Sequence, residues 1–255
     1  MLSEKIELIG KGLYTDIPDT LTLKSIPTAS ELDYVGAEDF DAIMLDKILP
    51  QSVEEKINFR NLLEIDYQWV LRGLRMLNYG PYYTVNRVFC DSCREISDGE
   101  YRVDLRTIGI NGLPEGFTNE ITISKDEFIE YPNDITIKLL TIQDRINSES
   151  DKLFIKDGKR NSELARMCYM IKQIKGKDVK VMEAKSTIES KMIDADYKIL
   201  RGKTNELTRY GLSVMGSCTC PKCGSTHATY LAFVDERFFR PSMGDLKAWK
   251  ADKAS

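Results

Sequence analysis

Two cysteine pairs constrain the fold of this chain more than any other feature of its sequence. Cys90–Cys93 and Cys220–Cys223 each have the C-x-x-C spacing, at which one tight turn can aim both sulfurs at a tetrahedral ion. Gly224 follows the second pair, where the chain must bend sharply and glycine reaches a positive φ without steric cost. Residues 94–219 separate the pairs, whereas a compact four-cysteine site has about fifteen to twenty residues there. A shared ion would therefore join two distant parts of the chain.

The segments on both sides of each pair have β-strand patterns, which is how a zinc ribbon presents two ligands from each of two hairpin tips. One structural zinc ion is the cofactor that we predict, with four ligands: Cys90, Cys93, Cys220 and Cys223. The alternative is two separate sites, one of them a redox dithiol, but redox pairs lie at the start of a helix and neither pair here precedes a helical pattern.

The remaining potential ligands are less favoured than these four thiols. Cys218 could take the place of Cys220, although the Cys-Pro-x-Cys-Gly form favours Cys220. His227 is a weaker candidate, because four thiolates already complete a tetrahedron. We expect Cys168 to be a small buried apolar residue.

A site closed by four thiolates has no open position for water or substrate, so zinc catalysis is disfavoured. The sequence has one histidine, and it lacks Gly-x-Ser-x-Gly, His-Glu-x-x-His and a glycine-rich phosphate loop. These are the familiar hydrolytic and nucleotide-binding motifs. We therefore predict that the protein is not an enzyme and has no catalytic residues.

Charge and hydropathy narrow the classes of partner. The net charge of −4 and the pI near 5.3 argue against a general binder of the phosphate backbone. Residues 1–60 carry twelve acidic and six basic side chains, while residues 151–210 carry nine and fifteen. This asymmetry favours docking to another chain, or it reflects two solvated faces.

The sequence has no apolar run near the ~20 residues of a membrane helix and no signal-peptide pattern. We therefore expect a cytoplasmic protein without a membrane partner.

The predicted fold class is α+β, with β-hairpins that form a split zinc-ribbon-like unit, helical segments after the first strand and a helical insertion between the two cysteine pairs. Helices are predicted over Phe40–Leu49 and Val53–Leu77, the second ending at Gly80, and the Lys-rich residues 160–209 are predicted to form the helical insertion. Strands are predicted near 20–26, 83–89, 100–106, 134–140, 211–217 and 228–234. The predicted domains are an N-terminal part over 1–150, the insertion over 151–210, a C-terminal hairpin over 211–242 that packs on the N-terminal part, and a tail over 243–255.

A second copy of an early pattern is visible in the middle of the chain. Asp134–Asp144 resembles Leu21–Glu31 in its alternating strand, in the position of its lysine and in a Thr-x-x-acid cap, with a one-residue gap at Pro27. The predicted helix caps are Thr28 in the first copy and Thr141 in the second. The similarity indicates either an internal repeat or a chance match between two strand-and-cap segments.

Several segments together resemble a known protein family. They are Gly10–Tyr14 before a strand, Asp66–Gly80, the first cysteine pair in a hairpin, and Cys220-Pro-Lys-Cys223-Gly leading to Phe238–Ser242. In this order they are similar to the baseplate proteins of T-even-like contractile-tailed bacteriophages, a family that includes hub assembly proteins. The resemblance spans about residues 9–242, and the Lys-rich region matches least.

The resemblance implies a structural or assembly protein of a phage tail baseplate, either a hub component or a hub assembly factor. The implied partners are other baseplate or tail proteins, or further copies of the chain in a symmetric assembly. The implied location is the host cytoplasm during assembly, or the virion tail. We predict a contact at Phe238–Pro241, with packing of both rings under the helical insertion as the alternative. The competing class is a nucleic-acid-binding zinc ribbon, favoured by Lys222, Arg237 and Arg240 near the second pair.

Overall fold

The structure is a computed structural model that describes residues 2–27, 30, 39–85, 88–97, 101–233 and 236–254. Within these residues the fold is mixed α+β and its sheets are antiparallel, which confirms the predicted class at that level. No helix in the described part of the chain is both long enough and apolar enough to cross a membrane.

Seven helical segments and sixteen strands make up the described part of the fold. The helices are α1 (an α-turn over Phe40–Ile43, a π-turn over Met44–Ile48 and an α-turn over Leu49–Ser52), α2 (Glu64–Tyr79), α3 (Ile142–Ser150), α4 (Ser162–Met170), α5 (Val181–Lys191), α6 (Asp194–Leu207) and α7 (Met243–Asp252). The strands are β1 (Ser3–Glu7), β2 (Thr20–Lys24), β3 (Tyr82–Val85), β4 (Val88–Phe89), β5 (Ile96–Ser97), β6 (Tyr101–Asp104), β7 (Ile110–Asn111), β8 (Glu120–Ile123), β9 (Ile135–Lys138), β10 (Ile155–Lys156), β11 (Lys159–Arg160), β12 (Ile171–Ile174), β13 (Lys177–Asp178), β14 (Gly211–Leu212), β15 (Met215–Thr219) and β16 (Thr226–Tyr230).

The chain divides into two compact units. The first comprises residues 1–59, 65–111 and 212–255, and the second comprises 60–64 and 112–211. The second unit begins well before residue 151, where the sequence analysis placed a boundary. The reason is strand pairing: β12 lies in one sheet with β9, so the segment that carries β8 and β9 packs with the Lys-rich region.

The first unit contains both cysteine pairs. Its largest sheet has the strand order β16-β15-β6-β3, so the C-terminal hairpin lies beside the strands that lead to the first pair. Helix α2 ends at Gly80, as predicted, where φ is +80°. A Cβ there would lie 2.3 Å from Trp249 Cγ, so the turn needs glycine both for its backbone angle and for space.

The second unit is less helical than predicted. Its sheet has the order β13-β12-β9-β8, and β10 pairs with β11 in a separate hairpin. Two-residue turns close both hairpins of the Lys-rich region, at Asp157–Gly158 and Lys175–Gly176, and all four residues have positive φ. Two positive φ values in succession define the type I′ turn that joins twisted antiparallel strands. The prediction of a wholly helical insertion over 160–209 was therefore wrong for β12 and β13.

The helix predicted over Val53–Leu77 starts later than expected. Val53 forms a β-bridge with Leu23, and Glu54 N–H donates to the Thr22 carbonyl, so this stretch pairs with β2. Only α2, from Glu64, is α-helical. A long-range backbone partner has overridden the local helical periodicity.

Each unit contains a hairpin whose loop is held by a buried aspartate from a later helix. Asp66, the third residue of α2, accepts backbone N–H bonds from Ile9 and Gly10 in the β1–β2 loop. Asp196, the third residue of α6, accepts them from the β8–β9 loop, including Tyr131 N at 2.9 Å. Both hairpin loops thus have the same kind of anchor, a carboxylate near the start of a helix.

The capping box predicted at Thr141 is present at the start of α3. The one predicted at Thr28 lies outside the described residues.

The aromatic pair near the C-terminus is buried. Phe238 lies against Tyr83 and Phe233, with ring centroids 5.4 and 5.1 Å apart, and Phe239 lies 5.9 Å from Phe40. The prediction that these rings form an exposed contact was wrong. The alternative, in which both rings are buried, is confirmed on that point, and the ring neighbours named here belong to the first unit. Aromatic neighbours distant in sequence supply enough apolar surface to bury both.

Candidate metal centre

The two cysteine pairs occupy turns with the same backbone pattern. Cys90 N–H donates to the Glu95 carbonyl at 2.9 Å, and Cys220 N–H donates to the Ser225 carbonyl at 2.8 Å. In each turn the fifth residue donates back to the first: Arg94 N–H to the Cys90 carbonyl, and Gly224 N–H to the Cys220 carbonyl. Strands β4 and β5 flank the first turn, and β15 and β16 flank the second. Both pairs therefore lie at hairpin tips, as predicted.

The residue after each pair has a left-handed backbone. Gly224 has φ +74°, which confirms the prediction from its position. Arg94 occupies the matching place in the first turn with φ +57°, a conformation that strains a side chain with a Cβ. The matched angles show that the C-x-x-C turn itself demands this geometry, because an arginine adopts it too.

The sheet of the first unit brings the two turns together. Strand β15 pairs with β6 at Cys218 opposite Val103, and β6 pairs along its length with β3. An exposed ion pair then links the turns directly, with Lys222 Nζ 2.8 Å from Glu95 Oε2. Such a pair adds ~0–1 kcal/mol, so the sheet rather than this contact sets the approach.

The four thiols form one compact group. The sulfurs of Cys90, Cys93, Cys220 and Cys223 all lie within 4.8 Å of one another. Cys90 Sγ is 3.6 Å from Cys223 Sγ, and Cys93 Sγ is 3.8 Å from Cys220 Sγ. A tetrahedron of sulfurs about 2.3 Å from a central ion has edges of about 3.8 Å. A disulfide would instead need about 2.05 Å. The spacing therefore fits four ligands around one ion, although no ion is part of the structure.

The other potential ligands stand outside this group. Cys218 is buried within β15, its sulfur 3.6 Å from the His227 carbonyl, so it does not replace Cys220. His227 contributes no nitrogen to the four-residue group. Cys168 lies in α4 of the second unit and is 1% exposed, which confirms that it is a buried small residue.

Within the cluster of four thiols, pKa values are shifted in opposite directions. The Tyr101 hydroxyl faces the Cys220 sulfur and lowers the pKa of this thiol to about 6. The Ser225 hydroxyl lowers the pKa of Cys223. Contact with the Cys90 sulfur raises the pKa of the Cys93 thiol to about 12. Sulfurs this close cannot all ionise without a positive charge between them, and a divalent cation would remove that conflict.

Two aromatic residues beside the sulfurs complete the site. The buried Tyr101 hydroxyl has no hydrogen bond of good geometry among the described residues, and it faces the Cys220 sulfur. His227 Nε2 lies 3.0 Å from Cys90 Sγ. The sequence indicates His227 only as a possible ligand, and the predicted site does not include Tyr101. Tyr101 lies on the predicted strand that follows the first cysteine pair, and this position indicates that it could be near the site. Nothing in the sequence indicates which cysteine it contacts.

Comparisons of the chain with protein-family models, with curated proteins and with solved structures gave no match.

Proposed function

We propose that the four clustered cysteines bind one zinc ion and that the two hairpins form a split zinc-ribbon-like unit around it. The sulfur spacing supports this, because it is close to the edge of a tetrahedral thiolate site. Tetrahedral sulfur sites favour zinc or iron among common metals. Four thiolates leave no position for water or substrate, so the ion has a structural role and the protein is not a zinc enzyme.

The metal proposal is tested by elemental analysis of protein purified without chelator. We expect about one equivalent of zinc, and a clear loss in Cys220→Ser, because a ligand is removed. Cys168→Ser is the matched control and should keep its zinc, since this cysteine lies in the other unit. Less than about half an equivalent in the wild type, an equivalent of iron, or unchanged zinc in Cys220→Ser would contradict the proposal.

We also propose that the protein is a structural or assembly component of a contractile phage tail baseplate, acting through protein–protein contacts. The family resemblance over about residues 9–242 supports this, as does an apolar surface on the cysteine-bearing hairpins. Phe89 and Ile96 form a cross-strand pair beside Cys90 and are 51% and 65% exposed. Met215 and Tyr230 form a second exposed pair. Aromatic residues and methionine are enriched at protein interfaces.

The occupant that we assign to the Phe89–Ile96 pair is another tail protein. A metal-clamped hairpin is already ordered before it binds, so a partner pays little conformational entropy there. Mass spectrometry of purified virions and of complexes from infected cells tests the proposal. We expect tail proteins to co-purify with the wild type, and much less of them with Phe89→Ser/Ile96→Ser.

Met182→Ser is the control for this experiment, because Met182 is an exposed apolar residue in the second unit. It should retain its partners. If the chain is found in neither virions nor tail intermediates, the baseplate proposal fails. If tail proteins co-purify equally with both variants, the assignment of Phe89 and Ile96 fails while the family proposal stands.

A nucleic-acid-binding zinc ribbon is the second candidate. Arg237 and Arg240 are exposed and line a cleft of about 360 Å³ in the first unit. Asp245 also lines that cleft, which disfavours a phosphate there. Lys222, the third basic residue, already pairs with Glu95. Crosslinking to nucleic acid that weakens steeply with salt and is lost in Arg237→Ala/Arg240→Ala would favour this candidate over the baseplate.

A further inference from the structure

His227 is placed against a cysteine sulfur by its strand and by a neighbouring ring. It lies on β16 directly opposite Cys218 of β15. Its ring meets Tyr101 edge-on, with centroids 6.4 Å apart and planes at 73°. Its Nε2 then lies 3.0 Å from Cys90 Sγ, within hydrogen-bond distance. Strand register and packing therefore both fix the contact.

The direction of this hydrogen bond follows from the chemistry of a metal ligand. A cysteine that binds a metal does so as a thiolate, which has no proton to donate. The proton between Nε2 and Sγ must then belong to the imidazole. Resting on the proposed four-cysteine metal site, we propose that His227 is not a ligand but a positioning residue that donates Nε2–H to the Cys90 thiolate.

Burial explains why this sulfur in particular needs a donor. Four thiolates around a divalent ion carry a net charge of about −2, and negative charge out of contact with water must be met by hydrogen bonds. Cys90 is fully buried, and among the described residues the Cys93 N–H also approaches its sulfur, at 3.5 Å. Cys223, in contrast, is exposed, and the Ser225 hydroxyl lies 3.2 Å from it. His227 therefore compensates one of the two buried sulfurs of the four-cysteine group, the other being that of Cys220.

The first test uses the wild-type protein. His227 is the only histidine of the chain, so its ring nitrogens can be assigned without ambiguity in a long-range ¹H–¹⁵N spectrum. In zinc-loaded protein we expect a protonated Nε2 whose hydrogen exchanges slowly with water. A bare Nε2, either bound to the metal or accepting a proton from Cys90, would overturn the proposal.

The second test separates the donor from the ring. His227→Phe keeps an aromatic ring against Tyr101 and removes the N–H, whereas His227→Gln keeps an N–H donor. Loss of a partner that orients a metal ligand typically costs about 10–100-fold in affinity. By chelator competition we expect a loss of about tenfold or more in His227→Phe, with most of it restored in His227→Gln. Equal zinc affinity in wild type and His227→Phe would overturn the proposal.

Cobalt substitution distinguishes a donor from a ligand. The thiolate-to-cobalt charge-transfer band should have the same intensity per cobalt in wild type and both variants, because four sulfurs bind in each. A changed band in His227→Phe would identify His227 as a ligand and overturn the proposal. If His227→Phe does not fold, the wild-type spectrum and His227→Gln still decide. Failure of the wild type to bind zinc or cobalt at all would refute the metal site itself, which is a separate outcome.

Discussion

A fully buried arginine ties the C-terminal segment to the strand that leads to the first cysteine pair. Arg75, on α2, donates from Nε to the Phe238 carbonyl at 2.8 Å, from Nη1 to the Gly80 carbonyl at 3.0 Å and from Nη2 to the Tyr82 carbonyl at 2.8 Å. Its Nη2 also lies 3.8 Å from the buried Asp245 carboxylate. Arg75→Met would keep most of the side-chain volume and remove the charge and all of these donors.

The expected loss can be worked from these partners. Removing one member of a buried ion pair costs about 3–5 kcal/mol, because the other charge stays buried without its partner. Asp245 would retain Arg102, whose Nε lies 3.7 Å from it, as well as the Thr84 hydroxyl at 2.6 Å and Ser242 N–H at 3.0 Å, which places the cost within that range rather than above it. We expect the free energy of unfolding to fall by about 4 kcal/mol. With an m-value of about 2 kcal/mol/M, the urea midpoint would fall by about 2 M.

Tryptophan fluorescence during urea unfolding is the suitable assay, because Trp69 and Trp249 both lie in the first unit. Lys11→Met is the control: it removes an exposed ion pair with Glu7 and should cost less than about 1 kcal/mol. Asp245→Asn added to Arg75→Met should recover part of the loss, since the buried carboxylate that lost the Arg75 charge is then neutral. If Arg75→Met costs no more than the control, the buried pair does not hold this segment and the reasoning fails.

Three further predictions concern the cysteine turns, a crowded glycine and a buried thiol. Arg94→Gly should stabilise the zinc-loaded protein by about 0.5–1 kcal/mol in thermal unfolding, because glycine adopts the positive φ of this position without steric strain. A loss of stability would show that the contacts of the arginine side chain matter more than the strain of its backbone. Gly80→Ala should lower the free energy of unfolding by more than about 2 kcal/mol, because the added Cβ would meet Trp249 at 2.3 Å. Gly116 has a similar φ with open space around it, so Gly116→Ala should cost only about 1 kcal/mol. Equal losses in the two variants would contradict the clash. Burial raises the pKa of the Cys168 thiol to about 12, so a disulfide reagent should leave it unmodified until urea unfolds the second unit, and rapid modification in the native protein would refute its burial.

Features that depend on neighbouring residues could be predicted from the sequence. The C-x-x-C spacing predicted two tight turns, and Gly224 has the left-handed backbone predicted for it, which Arg94 shares. Gly80 ends α2, and Thr141 starts α3 through its capping box. The Asp157–Gly158 turn also has a sequence signal, since Asp-Gly is typical of a two-residue hairpin turn. Such features are local because backbone angles depend mainly on the residue and its immediate neighbours.

Features that depend on distant partners were decided by the tertiary structure. Val53 was predicted as helical and pairs with β2, and the Phe238 and Phe239 rings were predicted to be exposed and lie in a core. The sequence indicated that the two cysteine pairs could share an ion, but only the pairing of β15 with β6 shows the four sulfurs together. The contact of His227 with Cys90 has no sequence signal at all, because it arises from strand register and from burial beside Tyr101. Burial and strand pairing involve residues far apart in the chain, so they appear only when the whole chain has folded.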